Sequence, residues 1–327
     1  MERTQLMSSK NNEYEISIIV VNHNTKDLLC DCLSSILEES SDLSVEVIVV
    51  DNASVDGSVE AIREEFPIVK CIENSKNSGF AAANNQALGQ SKAPFIIFLN
   101  PDTIVLPGML INIKKAFDGN SNIGALGIRL LNPNHSIQPS WGRFSSAWTE
   151  FFFQSFLFKV FPPLIPIGKQ VHPLLIRSYQ HAHPVDWVSG ACLAVRRSVL
   201  EKTGGFDENI FMYGEDIDLC WRIWKSGFQV WFWPGGEVIH FNKSASNRNY
   251  EYWITNYTQG VLYFYNKYRS RSTLVLCGLF ICFGSILRQF LWSGIYVVDP
   301  KLRDEITQRI RGYKNATRLG YRAIIQL

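Results

Sequence analysis

Four short, apolar runs rich in β-branched residues fall within the first hundred residues, and each stops at a polar cluster before a helical periodicity begins. Few folds accommodate that alternation. The first run, ISIIVV at 16–21, is apolar without a two-residue period, which fits a strand covered on both faces. It ends at Asn22, His23 and Asn24. Leu28, Leu29, Cys32, Leu33, Ile36 and Leu37 then recur along one helical face, with Thr25 placed as the cap. The run at 45–50 leads into Asp51 and Asn52, and a helix over 58–66 is closed by Pro67. Residues 69–72 form the third strand, 79–88 the next helix, and 95–99 a fourth strand stopping at Asn100-Pro101-Asp102. Strands alternating with helices predict an α/β domain whose mostly parallel sheet is flanked by helices.

In such sheets ligands bind beyond the carboxyl ends of the strands. The polar tips are therefore the first candidates: Asn22, Asp51, Asn74, Asn77, Asn100 and Asp102. Asn and Asp also favour turns through local hydrogen bonds, so each one alone is open to that simpler explanation. A net charge of +2 over 327 residues lacks the basic excess of a nucleic-acid binder. No G-x-G-x-x-G follows the first strand and no Gly-rich triphosphate loop is present, which disfavours a dinucleotide-dependent dehydrogenase and a nucleotidyltransferase. Seven cysteines without a C-x-x-C pair read as reduced thiols, and the first fifteen residues hold no apolar run that could act as a secretory signal. Both features point to the inside of the cell.

Beyond residue 141 the pattern changes. An aromatic stretch over about 141–180, broken by Pro162, Pro163 and Pro166, is either an insertion packed on the core or a membrane-facing lip. Order resumes at VDWVSGACLAVRRSVL, a strand and a short helix, and GGFDENIFMYGEDIDLCWRIWKSG follows. Residues 250–268 have helical character; 274–287 are apolar, Arg288 interrupts, and 290–298 are apolar again. Fourteen residues are too few to span a bilayer and a central charge is costly there, so a helical hairpin or interfacial helix is expected. The tail carries Lys301, Arg303, Arg309, Arg311, Lys314, Arg318 and Arg322 against Asp304 and Glu305, a balance suited to an anionic lipid surface. Packing on its own domain or on a second subunit is the alternative. The chain thus divides into a domain over 14–246 and a helical, apolar-then-basic region over 247–327.

Six segments carry a resemblance when taken in order: VDNASVDGS at 50–58, NSGFAAANN at 77–85, LNPD at 99–102, WVSGA at 187–191, GGFDE at 204–208 and GEDIDLCWR at 214–222. Together they resemble family-2 glycosyltransferases of the GT-A fold, especially the bacterial rhamnosyltransferase-like branch that builds surface polysaccharides. The match runs from about residue 16 to 246. It implies a Rossmann-like GT-A domain with a C-terminal membrane-associating extension, and a nucleotide-sugar donor, best matched by dTDP-rhamnose. Asp51 would read the base or ribose beside Asn22 and Asn52, while Asn77, Gly79, Phe80, Asn84 and Asn100 would line the nucleotide and sugar pocket. Gly79 would permit close backbone approach, and the helix opening there would turn free N–H groups towards negative charge. Merely starting a helix is the simpler use of that glycine.

Breaking the bond between sugar and diphosphate leaves a dianion, for which a divalent cation, Mg²⁺ or Mn²⁺, on hard oxygen ligands is the usual remedy. The family's D-x-D reads here Asn100-Pro101-Asp102, so one ligand is an uncharged amide. Asp102 is the expected direct ligand. His240, in HFNKS, lies near the family's metal- or diphosphate-holding histidine, with Lys243 or Ser244 on phosphate; a histidine after a strand is also often structural. The acceptor hydroxyl needs a carboxylate within hydrogen-bond reach. Asp216 matches the family's general base, with Glu215 beside it, although acids are also favourable at any helix N-terminus. Trp187, Ser189, Gly190, Asp218 and Arg222 would contact the acceptor, Trp187 by stacking on a sugar and Arg222 by bracing the carboxylates. One base without a second nucleophile implies a single displacement and inversion.

Other readings remain at this level. A UDP- or GDP-hexose donor fits the same motifs, and a non-catalytic sugar-binding subunit of a polysaccharide assembly is favoured by Asn100 but opposed by Asp102, Glu215 and Asp216. The acceptor is expected to be a glycan, free or polyprenyl-diphosphate-linked, met by a protein peripheral on the cytoplasmic face of the cell membrane. A soluble acceptor would leave the aromatic segments as a homo-oligomer interface.

Overall fold

The computed structural model describes residues 14–155, 173–242 and 249–325. Lys243, Ser244 and residues 156–172 of the aromatic stretch lie outside them. Strand β1 (Ile16–Asn22) leads into α1 (Lys26–Glu39), β2 (Val45–Asp51) into α2 (Ser58–Glu65), and β3 (Lys70–Glu73) into α3 (Phe80–Leu88), before β4 (Phe95–Leu99). These strands pair in parallel in the order β3-β2-β1-β4, as the alternation predicts. The missing alternation in β1 has a simple cause. Ile16, Ile18 and Val20 share one apolar cluster with Leu29, Leu33 and Ile36 of α1, while Ile19 and Val21 share another with Ala81, Ala83 and Ala87 of α3. Burying each aliphatic side chain stabilises by about 1.5–3 kcal/mol, so both faces are held apolar.

The α1 cap differs from expectation. The Thr25 hydroxyl donates to Asn22 Oδ1 at 2.6 Å, and it is Asp56 Oδ2 that accepts from the Lys26 N–H at 2.9 Å. The cap is therefore supplied by the segment after β2, tying the first two strand tips together.

The chain continues through β5 (Thr103–Val105), α4 (Met109–Gly119), β6 (Ile123–Leu131), β7 (Ile137–Gln138), β8 (Trp141–Gly142) and α5 (Ala147–Gln154). Then come β9 (His183–Pro184), β10 (Trp187–Val188), β11 (Cys192–Arg196), α6 (Arg197–Thr203), α7 (Glu215–Lys225) and β12 (Gln229–His240). β11 enters antiparallel between β4 and β6, and β12 lies between β6 and β5. The single strand expected in VDWVSGACLAV divides at Ser189-Gly190: β10 leaves to pair with β8, and β11 stays in the main sheet.

Helices α8 (Tyr250–Tyr268), α9 (Arg271–Val298) and α10 (Arg303–Ile325) complete the fold. Arg288 does not interrupt the apolar run: α9 is continuous through it. The side chain is buried, and its guanidinium donates to the carbonyls of Phe153, Gln154 and Gly284. Orphan carbonyls at the end of α5 thus hydrogen-bond the guanidinium and offset the cost of burying it. Residues 271–297 are long and apolar enough to cross a membrane by length and composition, though part of the helix is buried on the protein. α10 folds back on α9 where Gly278 faces Gly320; a Cβ at either position would lie 2.8 Å from the other's carbonyl oxygen. α8 packs on the α/β part, since its Leu262, Phe264 and Tyr265 share a cluster with Phe144, Ile217 and Trp221. A boundary at 246/247 therefore cuts through packed side chains.

Candidate active site

At the tip of β4 the Asn100-Pro101-Asp102 turn delivers the chain to β5, whose Thr103 pairs with His240 at the end of β12. The Phe241 N–H donates to the Asp102 carbonyl at 2.9 Å. This ladder brings His240 Nε2 to 3.3 Å from Asp102 Oδ1, with Asp102 only 1% exposed. His240 Nδ1 lies 2.7 Å from Gln138 Oε1, while the Gln138 amide nitrogen donates to Asn132 Oδ1 at 3.0 Å. The Gln138 oxygen must then accept, so Nδ1 carries a hydrogen and Nε2 is the ring nitrogen turned towards Asp102. Asn100 Nδ2 is 3.4 Å from the same Nε2. Among the described residues no group of three or more His, Cys, Asp or Glu forms a closed metal cage.

The base side is built on the first turn of α7. Gly214 starts the helix at φ 102°. Asp216 Oδ2 accepts from the Gly190 N–H at 3.0 Å and Oδ1 from the Ile217 N–H at 2.8 Å. Glu215 is buried with Oε2 lacking a partner. Burial, and next the Asp216 charge, push its carboxyl up to about 8. Burial raises Asp216 as well, but its two N–H donors favour the anion. The pair therefore holds a proton more tightly than two free carboxylates would, and the two N–H donors on Asp216 bias the negative charge towards it. Residue 191 links this turn to Asn100-Pro101-Asp102, because the Asn100 N–H donates to the Ala191 carbonyl at 3.0 Å.

The tips of β1 and β2 meet as Asn22 opposite Asp51. Asn22 Nδ2 donates to Asp51 Oδ2 at 2.8 Å, and the Ser54 N–H to Oδ1 at 2.8 Å. Carboxylate oxygens accept more than one hydrogen bond, so this network orients Asp51 without exhausting it. Asn52 holds the 74–79 loop, donating to the Gly79 carbonyl and accepting from Asn74 and Ser78. Asn77 Oδ1 accepts from the Gly79 N–H, and the Asn84 amide donates to the Phe80 carbonyl. These side chains brace the loop internally. The close approach at Gly79 is real, but its occupant is Phe211: a Cβ there would lie 2.8 Å from the Phe211 ring and 2.9 Å from its carbonyl oxygen. That carbonyl also accepts from the Phe80 N–H, so one of the donors expected to be free at the start of α3 is taken.

A family model described as glycosyl transferase family 2 matches residues 17–204, more than half of the chain, and one described as the N-terminal domain of galactosyltransferase matches 175–245. The chain belongs to glycosyltransferase family 2. Among its relatives is the N-acetylglucosaminyl-diphospho-decaprenol L-rhamnosyltransferase of Mycobacterium tuberculosis, 30% identical over 225 residues, covering 65% of this chain and 72% of that one. Rhamnosyltransferase WbbL of Escherichia coli K12 is 26% identical over 233 residues, covering 69% and 83%. Two solved glycosyltransferases share the fold at 16% identity. Mannosyltransferase PcManGT from Pyrobaculum calidifontis, with GDP-Man and Mn²⁺, has a TM-score of 0.52 over 96% of this chain and 88% of that one. GalNAc-T7, with UDP, GalNAc and Mn²⁺, has 0.56 over 77% and 48%, so this chain spans about half its length.

In this glycosyltransferase, Ser189 and Gly190 form the turn between β10 and β11, with the Ser189 N–H donating to the Ser140 carbonyl at 2.9 Å. Trp187 lies against Gly142, where a Cβ would meet the indole at 2.5 Å, and its N–H donates to the Arg143 carbonyl. The indole is thereby fixed as a half-buried plate. Arg222 braces a carboxylate as expected, that of Asp218, whose oxygens are both engaged. Asp218 is 1% exposed; Oδ2 accepts from Arg222 Nε at 2.8 Å, and Oδ1 from Lys267 Nζ at 2.7 Å and the Tyr268 hydroxyl at 2.8 Å. Arg222 also donates to the Thr203 carbonyl at 2.8 Å. Both residues are structural ties. Gln138, Phe211 and Lys267 carry no motif in the sequence, and only their contacts reveal them.

Proposed function

We propose that this glycosyltransferase moves L-rhamnose from dTDP-rhamnose to a hydroxyl of a polyprenyl-diphosphate-linked glycan, by a single displacement with inversion, at a cytoplasmic membrane face. The observation that carries the reading is the 190–191 turn. Its Gly190 N–H holds the Asp216 carboxylate while its Ala191 carbonyl holds Asn100, so the base and the metal-side turn flank one mouth.

Asp51 and Asn22 would receive the base or ribose. Asp102 and His240, with Asn100 beside them, would hold a divalent cation, which when bound neutralises charge on the leaving diphosphate. The acceptor's hydroxyl proton passes to Asp216 as its oxygen bonds to the anomeric carbon. The bond from that carbon to the diphosphate oxygen breaks, and its electron pair leaves with the nucleotide diphosphate. Glu215 keeps its own proton and adds no second negative charge next to the base. The rhamnosyl donor and lipid-linked acceptor follow the printed names of the relatives at 26–30% identity.

Membrane contact is supported by the outward face of α9. Leu276, Leu279, Phe283, Ile286 and Phe290 are exposed at three- and four-residue spacing, and the charged residue within the run, Arg288, is turned inward. On α10, Arg311, Lys314, Arg318 and Arg322 are exposed at similar spacing, whereas Arg309 is engaged by Glu305 and stacks on Tyr250. An apolar stripe with basic neighbours suits a helix lying in the plane of an anionic interface.

The test is a thermal-shift screen of dTDP-rhamnose against UDP- and GDP-hexoses with Mg²⁺ or Mn²⁺, followed by transfer to N-acetylglucosaminyl-diphospho-polyprenol. Stabilisation by dTDP-rhamnose and an inverted anomeric centre are expected. Preference for another nucleotide sugar would reassign the donor, retention would exclude the single displacement, and no response to any would favour a non-catalytic subunit.

A further inference from the structure

We infer that Lys267 on α8 is a positioning residue for the transfer, bolting the base-bearing helix to the loop that reaches the donor segment. The inference rests on the reading of Asp216 as the base.

One ammonium group joins two carboxylates from different segments. Lys267 Nζ donates to Asp218 Oδ1 at 2.7 Å and to Asp207 Oδ2 at 2.6 Å. Asp218 stands half a turn after Asp216 on α7, so fixing it fixes the first turn of that helix. Asp207 lies in the loop between α6 and α7, and the same loop carries Phe211, whose ring and carbonyl rest on Gly79 and Phe80 at the start of α3. Lys267 therefore stands between the base and the segment resembling the donor pocket, and touches neither.

The surroundings fit a permanent tie. Tyr263 donates to Asp207 Oδ2 at 2.7 Å and Tyr268 to Asp218 Oδ1 at 2.8 Å, while the ammonium lies over both rings, 5.6 and 5.1 Å from their centroids. Burial alone would raise the Asp207 carboxyl, but hydrogen bonds from Lys267, Tyr263 and Asn209 overcome it and hold the group well below the usual carboxylate range. A second contact seats α8 on the same turn. Gly260 packs against Tyr213 and Gly214, and a Cβ on it would lie 2.0 Å from the Tyr213 carbonyl oxygen. That turn starts α7, so α8 sets where the helix begins and Lys267 sets its rotation.

Lys267→Met is the first variant, Lys267→Arg the conservative one, and Asp216→Asn the control for the base. Transfer from dTDP-rhamnose to N-acetylglucosaminyl-diphospho-polyprenol is followed well below the unfolding temperature. Small displacements of catalytic groups cost up to about a hundredfold in rate, so Lys267→Met should lower kcat by about ten- to a hundredfold while leaving donor KM within about twofold. Lys267→Arg should recover most of the loss. If the methionine variant does not fold because Asp218 loses a counter-charge, Lys267→Met with Asp218→Asn removes that imbalance and carries the same expectation. Wild-type kcat in the methionine variant, or an equal loss in the methionine and arginine variants, overturns the inference. Full turnover by Asp216→Asn overturns instead the reading of the base on which it rests.

Discussion

The backbone N–H of Gly190 donates to Asp216 Oδ2 at 3.0 Å, and this bond places the proposed base against the turn that also anchors Asn100. The two acidic neighbours on α7 consequently differ. Asp216 receives two backbone donors, while Glu215 is buried with an oxygen that has none. Hydrogen bonds favour the anion in one and burial favours the neutral acid in the other.

Asp216→Asn removes the acceptor of the hydroxyl proton and keeps the shape of the turn. General base catalysis contributes about 10²–10⁴-fold, so kcat should fall by that order. Nucleotide binding, read by thermal shift with dTDP and Mn²⁺, should be nearly unchanged. Loss of nucleotide binding would assign Asp216 a structural role.

Glu215 makes a prediction about stability and pH. Its carboxyl is raised from an ordinary 4.5 to about 8, so between those pH values the folded chain binds a proton that the unfolded chain has released. Stability contributed by this group falls as pH rises through that window and is flat above it. Glu215→Gln has no such proton. The difference in Tm between variant and wild type should therefore grow from pH 5 to pH 8, and a constant difference would show that Glu215 titrates normally.

Gln138 fixes the tautomer of His240 through a 2.7 Å bond. Outer partners of metal-binding histidines typically influence affinity by 10–100-fold, so Gln138→Leu should weaken Mn²⁺ binding by about tenfold in calorimetric titrations with dTDP present. Asn100→Asp should act oppositely by adding a charged oxygen beside Asp102. Unchanged affinity in both variants would place the cation elsewhere.

Phe283→Ser combined with Phe290→Ser alters side chains that are 54% and 77% exposed, so Tm should hardly change. Flotation with anionic liposomes should drop several-fold if the α9 stripe enters the interface. Point changes are preferable to removing everything after Tyr268, because that cut would strip Leu274, Cys277 and Ile281 from the cluster covering α8.

The first half of the fold was legible because each β-α unit repeats one local rule: a run buried on both faces, a polar stop, then a helical stripe. Asp51, Asp102 and Asp216 could be nominated from the sequence because the motifs that resemble the family's are short and contiguous. That α9 runs unbroken through Arg288 was not legible, because its guanidinium is hydrogen-bonded by α5 carbonyls 134 residues away. Asp218 was assigned to the acceptor because the sequence shows the acid but not Lys267, 49 residues later, which occupies it.

Periodicity along the chain was enough to predict an α/β sheet, and the resemblance of short contiguous motifs was enough to nominate its carboxylates, since both depend on near neighbours. Which carboxylate is buried with an unpartnered oxygen, which is locked in an ion pair, and which face of α9 is exposed were decided by packing. A carboxyl's affinity for a proton follows from its burial and its hydrogen-bond partners, and here those partners arrive from segments that meet only when β12, α8 and the 190–191 turn close around the cleft.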